Sequence, residues 1–431
     1  MKNESRFLTV FATLSSAEQQ DFRHFISCDA FNTRKKLVDL LVYYLPFINH
    51  PQLKTPPLED TFSHFYSGSK YDPKRIHALT GALYKLLLRF LAIHEMKEEE
   101  MMGNIFALRA LRKRKADKAF ESEARRLGLG LETKAYKNDP YFLYSFLLSQ
   151  EEDFYLTQSQ IRRPNEAFQQ QINALDNFYT GTNFALSAEA LSRNQIIEDA
   201  YQTAWLEPVC DLYDNQLPVH LDGVWVNVQR QLLLCLQEPE VSEHYDTFID
   251  LLNEHQQIFP QETIRYLYKS AQNYCIRRIN SGDTHFQKAI FDLFQTMLSQ
   301  GHLLDSQSHI AHSDFKNIVT VALRQKAFDW TSGFMEQYGP RVDRKHQDNV
   351  LSYCHALFDA NTGNPTQAIR RLRTVSFTDI LYDLSSRRLL AQVYFDQEDW
   401  EALSHHNNAF ELFLRRQKQL STHNKSSHLN F

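Results

Sequence analysis

Between residues 315 and 415 the chain interrupts its helical pattern at a fixed interval. Three stretches, QKAFDWTSGF, NTGNPTQAI and DQEDWEALS, align on Phe328, Gly363 and Glu398, 35 residues apart in both steps. Trp330, Pro365 and Trp400 stand two residues further on, and Gly333, Ala368 and Leu403 five residues on. Leu323, Phe358 and Val393 stand five residues before. A period of this length holds a helix, a tight turn and a returning helix. The turn needs a helix breaker. A small residue soon after it lets the two helices approach, and an apolar residue on the outgoing helix fills the gap between them. Such a hairpin cannot bury its apolar face alone and must lean on neighbours.

The stretch YFDQEDWEAL (Tyr394–Leu403) resembles the Tyr…Gly-Asp-Tyr-x-x-Ala-Leu run of the tetratricopeptide family. Glu398 stands where glycine is usual, Ala402 is one residue early, and the proline that closes each repeat is missing from all three. INSGDTHFQKAIFDLF (Ile279–Phe294) resembles the same turn with a two-residue insertion. The resemblance covers 315–415, thins over 262–315 and has no motif before that. It implies an α-solenoid of stacked helical hairpins whose concave face grips an extended segment or a helix. Contacts would come from the inner face of each first helix. Counted from the turns, that face carries Lys326, Tyr353, Asn361, Arg388, Gln392 and Phe395. Tyrosine and arginine dominate binding energy when they sit centrally, which puts Tyr353 and Arg388 first. Plain core packing is the alternative for Tyr353 and Phe395. The whole chain also resembles a family of helical proteins common in Bacteroidota. LSSAEQQDFRHFISCDAFN, FDWTSGFMEQY, GNPTQAIRRLRTVSFTD and the terminal HLNF carry that likeness. It implies a cytoplasmic bacterial protein and supplies no activity.

At 431 residues the chain exceeds one compact core, so several domains or an extended array are expected. The 12 glycines and 13 prolines are about half of average usage, which starves hairpin turns between strands. No segment alternates apolar and polar residues as a half-buried strand does. The expectation is an all-α chain of about 20 helices. Four segments follow: a small N-terminal helical domain over 1–98, a helical-hairpin region over 99–260, a tetratricopeptide-like array over 261–420 and a polar tail over 421–431.

Local signals place many of the helices. Ser15 and Glu18 form a capping box. Asn32 is a candidate cap for the next helix, and Pro46 is expected to end it. Asp72-Pro73 reads as an N-cap followed by proline at the first helical position. Ala167, Ile172, Leu175 and Phe178 form one apolar face, and Leu186, Ala190 and Ile197 are assigned to a separate helix. The most apolar run, Leu40–Ile48, is too short to cross a bilayer, and the N-terminus has no leader-like apolar stretch. A cytoplasmic chain that neither spans a membrane nor is secreted is expected.

The formal net charge is −5, so nucleic-acid binding would need a local basic patch. RALRKRKADK (Arg109–Lys118) is the one notable cluster, and helical projection scatters its charges. The five cysteines are far apart with no Cys-x-x-Cys pair, which reads as reduced, mostly buried thiols. His309 with His312, and His405 with His406, show no third metal ligand. No phosphate loop or nucleophile motif is present. The chain reads as a non-catalytic scaffold for a protein or peptide partner, with no catalytic residue, cofactor or metal. The rival is a regulator that contacts nucleic acid through the N-terminal domain and the 109–118 run.

Overall fold

Twenty α-helices occupy the described residues of the computed structural model, which are 6–49, 52, 54–134, 137–158, 165–194, 201–216, 221, 223–305, 307–374 and 380–416. The only β pairing among them is two isolated bridges, Leu304 with Ile310 and Ile310 with Val342. The chain is all-α. It divides into two units, Met1–Thr133 with Tyr144–Gln171, and Lys134–Leu143 with Ile172–Phe431. The polar tail over 421–431 lies outside the described residues.

In the first unit α1 (Arg6–Phe11), α2 (Ser16–Ser27), α3 (Lys35–Asn49) and α4 (Leu58–Phe65) all pack on α5 (Pro73–Glu98). Phe7, Phe11, Phe22, Tyr44, Leu83 and Leu87 fill the space between them. The Ser15–Glu18 capping box forms with both reciprocal bonds, and Asp72 caps α5 through the Lys74 and Arg75 N–H groups. By length and composition α5 could cross a membrane, with a mean hydropathy of 1.4 over its best window. Here Ile76, Leu83 and Leu87 on its inner stripe are fully buried in protein. Only Glu99 separates α5 from α6 (Glu100–Lys113), which pairs with α7 (Asp117–Glu132). The charged stretch 95–100 therefore lies inside the first unit.

Two local expectations change. Pro46 sits within α3, which continues to Asn49. Proline removes one backbone bond from the last turns, a loss too small to stop three more residues. Asn32 does not cap α3. Its Oδ1 accepts from the Arg34 N–H and its Nδ2 donates to the Ile26 and Arg34 carbonyls, tying the connection instead.

In the second unit the helices pack mainly on their neighbours along the chain. The series is α11 (Val224–Gln237), α12 (Ser242–His255), α13 (Gln261–Asn280), α14 (Phe286–Ser299), α15 (His312–Arg324), α16 (Phe328–Tyr338), α17 (Arg344–Asn361), α18 (Pro365–Thr374), α19 (Ile380–Asp396) and α20 (Trp400–Arg416). Successive helices pair, except α16 with α17, and α11 also meets α13, α15 meets α17 and α17 meets α19. One continuous apolar core runs from Phe184 to Tyr394.

The turns share one device. Gly282, Gly301 and Gly363 have φ of +98°, +75° and +80°, and Lys115, Lys326 and Glu398 have φ between 53° and 57°. In all six the next residue donates its N–H to the carbonyl five positions back, as Asn364 does to Asp359 at 2.8 Å and Asp399 to Tyr394 at 3.0 Å. This is a Schellman closure, in which a left-handed residue satisfies the last helical carbonyls. Gly363 is thus the residue that ends α17, and Pro365 opens α18, where a missing N–H costs nothing.

The register of the repeat differs from its sequence alignment. The left-handed residue of the first turn is Lys326, not Phe328, which is already the first residue of α16. The intervals between left-handed residues are 37 and 35, because α16 and α17 are each one residue longer than α18 and α19. The small residue at the close approach is Thr331, fully buried like Ala368. Gly333 is exposed, and a Cβ there would meet nothing.

The segment 166–194 is also one helix, α9 (Glu166–Asn194), rather than two. It buries Ala174, Asn177, Thr180, Phe184 and Ala188, while Ile172, Leu175 and Leu186 face outward. Small residues allow close helix approach, so this face was chosen over the one richer in leucine. Ile197 lies outside the described residues.

Candidate functional site

The second unit contains an open cleft of about 610 Å³. Arg265 and Lys269 of α13 line it, with His302–Asp305, Gln307 and His309–Ala311 between α14 and α15, His312 and Asp314 of α15, and Asp343 and His346 around the start of α17. Short-range bonds shape the wall. The Asp305 carboxylate accepts the N–H groups of Gln307 and His309, both at 2.8 Å, and closes a tight loop. These bonds hold Asp305 below the usual carboxylate pKa, the largest cause being the His309 N–H. Ile310 anchors the loop by donating its N–H to the Arg341 carbonyl at 2.9 Å. Asp343 caps α17 through the Lys345 N–H.

Charge on the wall is largely organised. Lys269 Nζ lies 2.6 Å from Asp314 Oδ1, and Asp314 sits in the first turn of α15, where a carboxylate suits the helix dipole. Arg265 donates to the Leu304 carbonyl. His302 stacks on Tyr268 with centroids 5.2 Å apart. Burial first, and the Arg265 charge second, lower its pKa, so it is neutral at pH 7.

The rings of His312 and His346 stack face to face, centroids 4.2 Å apart. The Tyr382 hydroxyl, on α19, donates to the His312 carbonyl at 3.0 Å and lies 2.9 Å from His312 Nδ1. A hydroxyl has one proton to give. With it on the carbonyl, Nδ1–H of His312 must donate to the tyrosine oxygen. Among the described residues no group of three or more His, Cys, Asp or Glu is placed to hold a metal ion.

No protein-family model, curated protein or solved structure matches this chain.

The six residues expected on the inner face are spread along α15 to α19. Lys326 is the exposed left-handed residue of the α15–α16 turn rather than part of a helix. Asn361 is the last residue of α17, and its Nδ2 donates to the Leu357 carbonyl. Gln392 is exposed on α19 and donates to Asp396. Phe395 is 54% exposed and meets the edge of Trp400, itself 57% exposed, at 5.5 Å. Tyr353 is buried on α17, and burial pushes its hydroxyl up to about 12. Arg388 of α19 and Arg324 of α15 act on it through their charge. Tyr353 and Arg388 thus come together, while Lys326 belongs to a turn and Phe395 lies in the last turn of α19.

Sequence reasoning missed the cleft. His309 and His312 were visible as a pair, but Lys269, His346 and Tyr382 meet them only through folding. The 70 positions from His312 to Tyr382 give no sequence signal of contact. In the basic run, Arg109 and Arg112 turn to the buried Glu151, at 2.6 and 2.8 Å, while Arg114, Lys115 and Lys118 stay exposed.

Proposed function

We propose that this chain is a non-catalytic scaffold that binds a protein or peptide partner along a tetratricopeptide-like array of helical hairpins. The packing order supports the reading. α15, α17 and α19 lean on one another in succession, and each returns through the same left-handed turn into α16, α18 and α20. Hairpins repeated in this way build an extended surface whose first helices line one side. Arg388, on α19, is of a residue type that anchors interfaces, while Tyr353 on the neighbouring first helix packs in the core. A cytoplasmic setting belongs to the same proposal and suits the free state of all five cysteines. The nucleic-acid alternative is the weaker one, because two of the cations it needs, Arg109 and Arg112, are already turned inward to the buried Glu151.

The test is affinity capture with the full chain and with Arg388→Glu as baits, compared by mass spectrometry and by thermal melting. The proposal expects proteins held by the parent and lost by the variant at an unchanged melting temperature. Identical capture by the two baits removes the assigned face, and no capture above bare resin removes the scaffold reading.

A further inference from the structure

Cations of the first unit gather on a tyrosine rather than on carboxylates. Lys36 Nζ lies 3.7 Å, and the Arg75 guanidinium carbon 4.0 Å, from the centroid of the Tyr66 ring. Lys36 comes from the first turn of α3, Tyr66 ends α4 and Arg75 comes from the first turn of α5. The fold thus holds two like charges within about 8 Å, the most that these distances to one centroid allow. Arg34 and Lys35 stand beside Lys36 in the chain, and Lys70 and Lys74 precede Arg75, all four exposed. None of the six is ion-paired among the described residues. Asp72, the one carboxylate in 66–75, turns its Oδ1 onto the Lys74 and Arg75 N–H groups. Cations in a first turn oppose the helix dipole, and neither α3 nor α5 has an acidic residue there. Like charges set against two dipoles cost stability locally, and an external anion relieves that cost.

We infer that this patch binds single-stranded nucleic acid, an activity separate from the scaffold reading of the second unit. It needs no residue of the 109–118 run, so the inward turn of Arg109 and Arg112 leaves it intact. Phosphates meet the six cations, which read charge and not sequence. Tyr71 stands between Lys70 and Lys74 in the chain and is 38% exposed. The buried Phe62 braces it near perpendicular, with centroids 5.4 Å apart. Its ring is a platform for an unpaired base, the second element of a single-strand site. A duplex keeps its bases within the stack and gains nothing from that ring. A bilayer surface is the poorer match. The stretches 34–36 and 66–75 hold no Leu, Ile, Val, Met or Phe, and insertion at a membrane interface needs an apolar face.

The experiment titrates the full chain into a fluorescent oligouridylate of about 16 nucleotides and follows its anisotropy. Lys35→Glu, Lys74→Glu, Tyr71→Ala and the control Lys118→Glu are compared with the parent, with melting curves for each. Lys118 is also an exposed cation in a first turn, that of α7. With about five phosphate contacts, affinity is expected to fall about a hundredfold between about 50 and about 200 mM salt. Each of the two patch reversals is expected to weaken binding by about fivefold or more at low salt. Their melting temperatures should hold or rise, because glutamate suits a first turn. Tyr71→Ala should lose about fivefold and keep most of the salt dependence. Lys118→Glu should bind as the parent does, and so should the scaffold variant Arg388→Glu. No binding at low salt overturns the inference, as does full binding by Lys35→Glu and Lys74→Glu. A loss confined to Lys118→Glu returns the contact to the 109–118 run and also overturns it. Equal affinity for an RNA duplex of the same length overturns the single-strand assignment. Tighter binding of vesicles containing phosphatidylserine, or of polyglutamate, than of the oligomer overturns the choice of partner.

Discussion

A Cβ added to Gly181 would stand 2.6 Å from Nε1 of Trp225. Gly181 lies on α9 and Trp225 in the first turn of α11, and the indole packs on against Phe259 at 6.0 Å. The contact is too close for any side chain at position 181. Gly181→Ala is expected to force Trp225 aside and cost about 1–3 kcal/mol in urea unfolding. Gly333→Ala is the control. It fills open space on an exposed helical face and is expected to stabilise by about 0.5–1 kcal/mol. Equal effects at the two sites would refute the packing account.

Glu151 is fully buried between Arg109 and Arg112. Its removal leaves two guanidinium groups facing a dry site. Glu151→Ala is expected to cost about 3–5 kcal/mol, because an uncompensated buried charge is more damaging than the pair was helpful. Arg109→Ala, whose side chain is 37% exposed, should cost much less, since Arg112 remains. Denaturant midpoints of the two variants decide this.

Three helices close through a left-handed residue that carries a side chain. Lys326→Gly and Glu398→Gly are each expected to raise stability by up to about 1 kcal/mol, since glycine adopts that backbone without steric cost. Gly363→Ala is expected to lower it by about 1–2 kcal/mol for the same reason. Opposite signs at chemically unrelated positions would be hard to explain except through the backbone, and calorimetric melting measures them.

Burial pushes the thiols of Cys235 and Cys275 from 9.0 up to about 12. In the unfolded chain these groups release their protons near the ordinary value. The unfolded state then binds fewer protons than the fold, so stability falls as pH rises. The contribution is intact below about pH 9 and declines toward 12, by up to about 1.4 kcal/mol per pH unit for each group. Urea midpoints at about pH 8 and about pH 10 are expected to differ in that direction. Cys235→Ala should flatten the slope. In the native chain a thiol reagent should label Cys28, the one exposed cysteine, before the other four.

Local rules written in neighbouring residues were legible. The Ser15–Glu18 box and the Asp72-Pro73 start act within one helical turn and formed as read. Gly363 could be read as a stop because left-handed backbone favours glycine, whereas Lys115, Lys326 and Glu398 take the same conformation with no such signal. The face that α9 buries was not legible. Both of its faces hold apolar residues, and the choice depends on Trp225, which arrives from another helix.

The sequence by itself determined that the chain is helical and where many of its helices start and stop. Capping, proline placement and apolar periodicity are short-range physics, and each is complete within a few residues. Tertiary structure alone decided that Lys269, His312 and His346 share one wall and that Tyr382 holds His312 there, because residues brought together from four helices leave no local trace of their meeting. It also decided which cations are spent inside the fold, as at Glu151, and which stay available on its surface, since that depends on what packs beside them.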